Sequence, residues 1–146
     1  DDAIQSYDDG IKVHQRLVEE HPQVPEYQVR LAKVHNNLGF LHDRFGNADS
    51  CKRHYQEALA LHGDLTRRFP RQIDFKLNFA STGANWANYL KDHDKAQESL
   101  DWYERSITAA EAIREDQPKD AFARYTLHIA HYGRALALLK LVRPES

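Results

Sequence analysis

The sequence predicts an all-α protein, an α-solenoid of antiparallel helix pairs built from about six long helices. Three observations carry this. Pro22, Pro70 and Pro118 are spaced 48 residues apart, and Tyr7, Tyr55 and Tyr103 keep the same step. So do Ile11, Leu59 and Ile107, and Leu17, Leu65 and Ile113, and in the other half of the unit Leu31, Phe79 and Leu127, and Gly39, Ala87 and Ala135. Self-similarity at a fixed period of this length is the mark of stacked supersecondary units, each burying its apolar face on its neighbours. Within a unit the apolar spacing is helical. Tyr55, Ala58, Leu59, His62, Leu65 and Phe69 follow a 3/4 stripe, and Phe75, Phe79, Gly83, Trp86 and Leu90 do so on the next helix. Strand signals, meaning β-branched runs of period two or Asn-Gly hairpin turns, are missing.

The elements follow in order as helices over about 2–20, 24–44, 48–68, 72–91, 95–116 and 120–141. Pro25 suits a first helical turn, where its missing N–H would be unpaired in any case. Gly46-Asn47 supplies residues that tolerate left-handed backbone at the end of the second helix. Phe69-Pro70 ends the third, because proline biases the preceding residue away from helical dihedrals. The domain is read as one repeat array: a partial unit over 1–21, repeats over 22–69 and 70–117, and a partial unit over 118–146. With no Met at position 1, the chain is read as a piece of a longer protein.

Composition narrows the class. Apolar residues at 41% and charged residues at 29% are ordinary for a soluble globular chain. A net charge of -2 supplies no field that would draw the chain to nucleic acid or an anionic membrane. No apolar run approaches the roughly 20 residues of a membrane span, and no signal-peptide pattern opens the chain, so a cytoplasmic setting is expected, or the cytoplasmic part of a larger protein. The single cysteine, Cys51, excludes an internal disulfide.

The segment HNNLGFLHDRFGNADSCKRHYQEAL, His35 to Leu59, resembles the tetratricopeptide repeat. It matches that family's Leu-Gly pair (Leu38-Gly39), the turn glycine (Gly46), a small residue in the second helix (Cys51), the aromatic four later (Tyr55) and Ala-Leu after it (Ala58-Leu59). The second unit keeps the sizes with Trp86-Ala87, Ser99, Tyr103 and Ser106-Ile107, and the first helix keeps Ala3, Tyr7 and Gly10-Ile11. The family unit is about 34 residues. The longer unit here divides its excess into about two turns per helix, which lengthens each helix without rotating its buried face. Units of this length resemble repeats that follow Ser/Thr protein kinase domains in some bacterial proteins. This chain itself has no Gly-rich loop, His-Arg-Asp or Asp-Phe-Gly. In the family pattern Gly39, Ala87 and Ala135 would face Ala3, Cys51 and Ser99, letting helix backbones approach.

Nine histidines invite a metal or acid–base reading. None has Glu or Asp three residues before it, so the di-metal helical-bundle motif is missing. Cys51-x-x-His54 and His128-x-x-His131 are single pairs without a second pair at zinc-ligand spacing. His14 and His62 share one repeat position, and His35 and His131 share another, which points to packing or hydrogen bonding between helices. No phosphate loop, nucleophile elbow or paired-carboxylate motif occurs. No cofactor, metal or catalytic residue is assigned. The basic run Arg67-Arg68-Phe69-Pro70-Arg71 falls at a loop between repeats and is read as a solvated loop, with contact to an acidic partner as the alternative.

The resemblance implies that the even-numbered helices line a groove for an extended peptide. The implied partner-binding residues are Lys33, Asn36, Asn37 and Phe40 on the second helix, Ser81, Asn85 and Asn88 on the fourth, and Tyr132 on the sixth. Ala84, Ile129 and Leu136 adjoin them. Mid-helix asparagines are unfavourable by propensity, so Asn36, Asn37, Asn85 and Asn88 imply a role beyond helix formation, in a ligand or between helices. Ile129 and Gly133 stand where a carboxylate clamp would need cations, so that variant is excluded. The last helix is apolar on most sides and expects cover from further repeats or from a second copy through residues 120–141. The leading expectation is a protein–protein interaction scaffold. A structural spacer or self-association module without a peptide ligand is the alternative, and a histidine-based enzyme or metal protein the third.

Overall fold

A computed structural model describes residues 2–142. The described residues form six α-helices and no strand: α1 (Asp2–Glu20), α2 (Pro25–Arg44), α3 (Ala48–Arg68), α4 (Ile73–Asp92), α5 (Ala96–Asp116) and α6 (Ala121–Val142). Every boundary lies within one residue of its expected place. The starts of α2, α4 and α6, at 25, 73 and 121, keep the 48-residue step, as do the ends of α1, α3 and α5 at 20, 68 and 116.

The loops repeat as faithfully as the helices, for backbone reasons. The three longer connections each close a turn, from Val24 N–H to His21 O (3.0 Å), Gln72 to Phe69 (3.0 Å) and Asp120 to Gln117 (3.0 Å). In each turn the second residue is the periodic proline, whose fixed φ preorganises it. The three prolines therefore build the turn as well as ending the helix before it. The shorter connections end α2 and α4 with one device. Asn47 N–H reaches back to His42 O (2.8 Å), and Lys95 N–H to Leu90 O (2.9 Å). The residue before each donor is left-handed, Gly46 at φ 72° and Asp94 at φ 59°. This is the six-to-one closure that satisfies otherwise orphaned helix carbonyls. Asn47 then caps α3 by accepting from Ser50 N–H (3.2 Å), and Asp120 caps α6 by accepting from Ala123 N–H (2.6 Å).

The chain divides into two compact units, Asp1–Phe75 and Lys76–Ser146. In the first, α2 packs against both α1 and α3. Ile11, Leu31 and Leu38 form its apolar centre, with Ile4, Tyr7, Val18, Val34 and Leu61 around them. Gly39 lies so close to the buried Tyr55 ring that an added Cβ would sit 3.0 Å from it. The pair runs antiparallel, since Gln28 near the start of α2 donates to Leu61 O (3.0 Å) and Asp64 (3.1 Å) near the end of α3. Arg68 closes this corner, donating to the Gln28 side-chain oxygen (3.1 Å), Asp64 (3.1 Å) and Pro22 O (3.5 Å). Arg67 also pairs with Asp64 (2.6 Å), so two of the arginines in the basic run are committed inside this unit. Gly39→Leu is expected to wedge α2 from α3 at a cost of about 1–3 kcal/mol. A thermal melt matching the unmodified chain would refute the assigned register.

In the second unit α5 packs against α6. It also meets α4, where Ser106 and Trp102 lie against Gly83. Tyr103 is fully buried at the middle of these contacts. Its hydroxyl donates to Asn88 Oδ1 of α4 (2.6 Å), and its ring lies against the bare backbone of Gly133 in α6.

The small residues of the family pattern are buried on α2 to α5 and open on α1 and α6, and the atoms nearest to Gly39 belong to the Tyr55 ring rather than to a small residue. Cys51, Ala87 and Ser99 are fully buried. Ala3 and Ala135 are exposed, because no helix covers those faces of α1 and α6. The close approach in α6 falls instead at Gly133, two residues earlier, toward α5.

Candidate interaction surface

Successive positions three and four apart on a helix share one face, so Lys33, Asn36, Asn37, Phe40 and Arg44 form one row along α2. Lys33 and Asn37 are exposed and Asn36 is half-buried. Phe40 is 52% exposed, unusual for a phenylalanine, with the Arg44 guanidinium 5.8 Å from its ring centroid. The Asn36 amide donates to Asn37 Oδ1 at a long 3.5 Å, and Asn37 is exposed. Just past the helix, Phe45 is 64% exposed. The row therefore offers aromatic faces, amides that can bond a peptide backbone, and one cation at each end.

In the second unit the implied residues are used differently. Asn88 is spent on the Tyr103 hydroxyl, whereas Phe40, at the same repeat position of α2, is exposed. Asn85 and Ser81 are half-buried, and Ala84 is buried. On α6, Tyr132 is 61% exposed and stacks with His128 (ring centroids 6.2 Å apart), while Ile129 and Leu136 are half-buried. Of the eight implied residues, Lys33, Asn37, Phe40 and Tyr132 are exposed, whereas Asn36, Ser81, Asn85 and Asn88 are half-buried. Sequence reasoning passed over Arg44 and Phe45. The signal was a second phenylalanine five residues after Phe40, next to a left-handed glycine that ends the helix.

Three of the nine histidines, His35, His42 and His54, form a buried cluster in the first unit. His35 and His54 share a 2.9 Å hydrogen bond between their Nδ1 atoms, and His42 stacks on His54 at 5.3 Å with planes 3° apart. One Nδ1 must donate and the other accept, so the pair is held in two different neutral tautomers. Burial, then the neighbouring His35, Arg53 and His42, hold His54 down to about 4, against a weaker upward pull from Asp8. Burial lowers His35 as well, against the raising influence of Glu57. His62 is buried alone, and burial and then Lys33 lower it to about 4; its Nδ1 has no hydrogen-bond partner. Of the histidines that share repeat positions, His35 is used in hydrogen bonding between helices and His62 in packing, whereas His131 is exposed and His14 half-buried. The cluster itself was hidden because His42 and His54 approach only once α2 and α3 pair.

Among the described residues, no three His, Cys, Asp or Glu side chains are placed to hold a metal ion. Burial pushes the Cys51 thiol up to about 12, so it is an inert packing residue at neutral pH. Among the described residues no helix is long and apolar enough to cross a membrane.

The fold and surface define a class: an all-α protein built from a 48-residue helical repeat, with an exposed aromatic and amide row on α2. No family model, curated protein or solved structure matches the chain.

Proposed function

We propose that this chain is a protein-interaction module of the tetratricopeptide kind, taking an extended peptide along the outward row of α2. The observation that carries the reading is Phe40, half-exposed on a helix whose other aliphatic and aromatic contacts point inward. An exposed aromatic costs solvation without contributing to the core, and aromatic anchors dominate protein interfaces. Asn36 and Asn37 beside it suit a partner's backbone amides, and Lys33 and Arg44 suit a carboxylate at either end of the bound segment. The preferred ligand is a short extended peptide with one apolar side chain next to an acidic one.

Selection from a phage-displayed peptide library against the whole chain tests this. Enriched peptides are expected to lose about tenfold or more in affinity for a Phe40→Ala, Asn37→Ala double variant, with the thermal melt unchanged because both side chains are exposed. Peptides that bind the double variant as tightly as the unmodified chain, or a library that yields no binder, would remove the proposal.

A further inference from the structure

The repetition that builds this chain also makes its helices hard to tell apart. The pairs α2–α3 and α4–α5 carry a small residue and a tyrosine at the same repeat positions, Gly39 with Tyr55 and Ala87 with Tyr103, all four buried. Those positions give α2 no reason to prefer α3 over α5. Exchange of equivalent elements between neighbours or between copies is a characteristic failure of repeat proteins.

Three positions break the repeat. His35, His42 and His54 stand where the second unit has Gly83, Leu90 and Trp102, each 48 residues on. In the first unit the Nδ1 atoms of His35 and His54 lie 2.9 Å apart, and the His42 ring stacks on His54. In the second unit the same place is filled by size. A Cβ on Gly83 would sit 3.3 Å from the Trp102 ring, which lies against Phe79 with centroids 6.3 Å apart, and Leu90 is buried. One pair is joined through polar atoms, the other through a glycine under an indole.

The two solutions do not mix. With α2 on α5, the His35 imidazole would fall on the Trp102 ring, where a single added carbon is already tight, and its Nδ1 would lose the nitrogen it bonds. With α4 on α3, Gly83 would leave His54 Nδ1 unpaired beside an unfilled volume. An overpacked ring and a buried polar atom without a partner both cost free energy, so each cross-pair is disfavoured against its own pair. Stability alone does not call for the histidines, because the second unit fills the same positions without a buried titratable group. We infer that His35, His42 and His54 form a pairing code that selects α3 over α5 as the partner of α2, both within one chain and against exchange between copies. The cluster is buried, apart from the exposed Lys33, Asn37 and Phe40, so it stands independently of the peptide-binding reading.

Transplanting the second unit's residues tests it. The triple variant His35→Gly, His42→Leu, His54→Trp makes the two pairs alike at these positions, and a cavity of about 520 Å³ beside His35 and His54 leaves room for the indole. The whole chain is unfolded in urea and refolded at pH 7, at about 10 μM and about 500 μM. Each sample is then diluted and sized by chromatography with light scattering. An exchanged dimer is held by the helix core and persists on dilution, whereas a surface association dissociates. The triple variant is expected to keep the helical circular dichroism of the unmodified chain. At the higher concentration it should trap an exchanged fraction at least about fivefold greater. The reciprocal variant Gly83→His, Leu90→His, Trp102→His is expected to do the same, since both units then carry the histidines. An exchanged fraction equal to that of the unmodified chain, in whichever variant folds, overturns the inference. So does failure of both variants to fold, because the two pairs would then not share the geometry that exchange requires.

Discussion

Gly133→Leu is expected to destabilise the chain by about 3 kcal/mol or more, the largest effect of any single substitution considered. An added Cβ alone would sit 2.5 Å from the Tyr103 hydroxyl and 2.6 Å from two ring carbons. Such a contact is tolerable where the neighbour can swing aside. Tyr103 cannot, because it is fully buried and its hydroxyl is held by Asn88. Leucine gains roughly 1 kcal/mol of helix propensity over glycine, which offsets only part of the overpacking. Gly10→Ala is the opposite case. Nothing lies within 4 Å of its new Cβ, so the propensity gain of about 0.5–1 kcal/mol stands alone and the melting temperature should rise slightly. Tyr103→Ala should rescue part of the Gly133→Leu loss in a double-mutant cycle. Strict additivity of the two substitutions would mean that they do not meet.

Acidification from pH 7 to 4 is expected to weaken the fold through its buried histidines. Unfolded, an imidazole takes up its proton near pH 6.5, whereas His54 and His62 in the folded chain do so only near 4. Between these values the unfolded state binds more protons, so stability falls as pH drops and is unaffected by these groups above about 6.5. His35 adds to the same direction. The physical cause is the desolvation of a charged ring at His62, which is 1% exposed, and at His54, which is 5% exposed. At His54 a second proton on the Nδ1 pair would also set two N–H groups against each other across 2.9 Å. Each of these two histidines should contribute about 1–3 kcal/mol to the loss. The Asp64 carboxyl acts elsewhere. Its bond from Gln28 and its pairs with Arg68 and Arg67 hold it below the usual carboxylate value of 3.8, so its contribution is lost only at lower pH. Urea melts at pH 7, 6, 5 and 4.5 check the slope, and histidine proton shifts followed by NMR check the assignment. Stability that stays flat to pH 4.5, or a His54 midpoint near 6.5, would show that water reaches the cluster.

Much of the architecture was legible in the residues because a repeat states each feature several times. The 48-residue recurrence placed six helices within one residue of their ends. Its prolines and the glycine at 46 marked turns whose hydrogen bonds recur at the same step. Asp94 in the left-handed position was less legible, since aspartate signals a turn more weakly than the glycine it parallels. The interaction residues were legible only as repeat positions. Lys33 and Asn88 stand on the same kind of helix, yet one reaches solvent and the other bonds Tyr103.

The sequence by itself determined the class, the element boundaries, the register and the charge of each helix. These follow from local dihedral preferences and from the spacing of apolar side chains along one strand of chain. Only the tertiary structure decided which repeat positions stay open. Exposure depends on whether a neighbouring helix is packed there, and of the small residues Gly39 and Ala135, at the same repeat position, the first is buried and the second exposed. It also decided that Gly133 admits Tyr103, and that His35, His42 and His54 form a cluster. Those contacts exist only once side chains from different helices compete for the same volume.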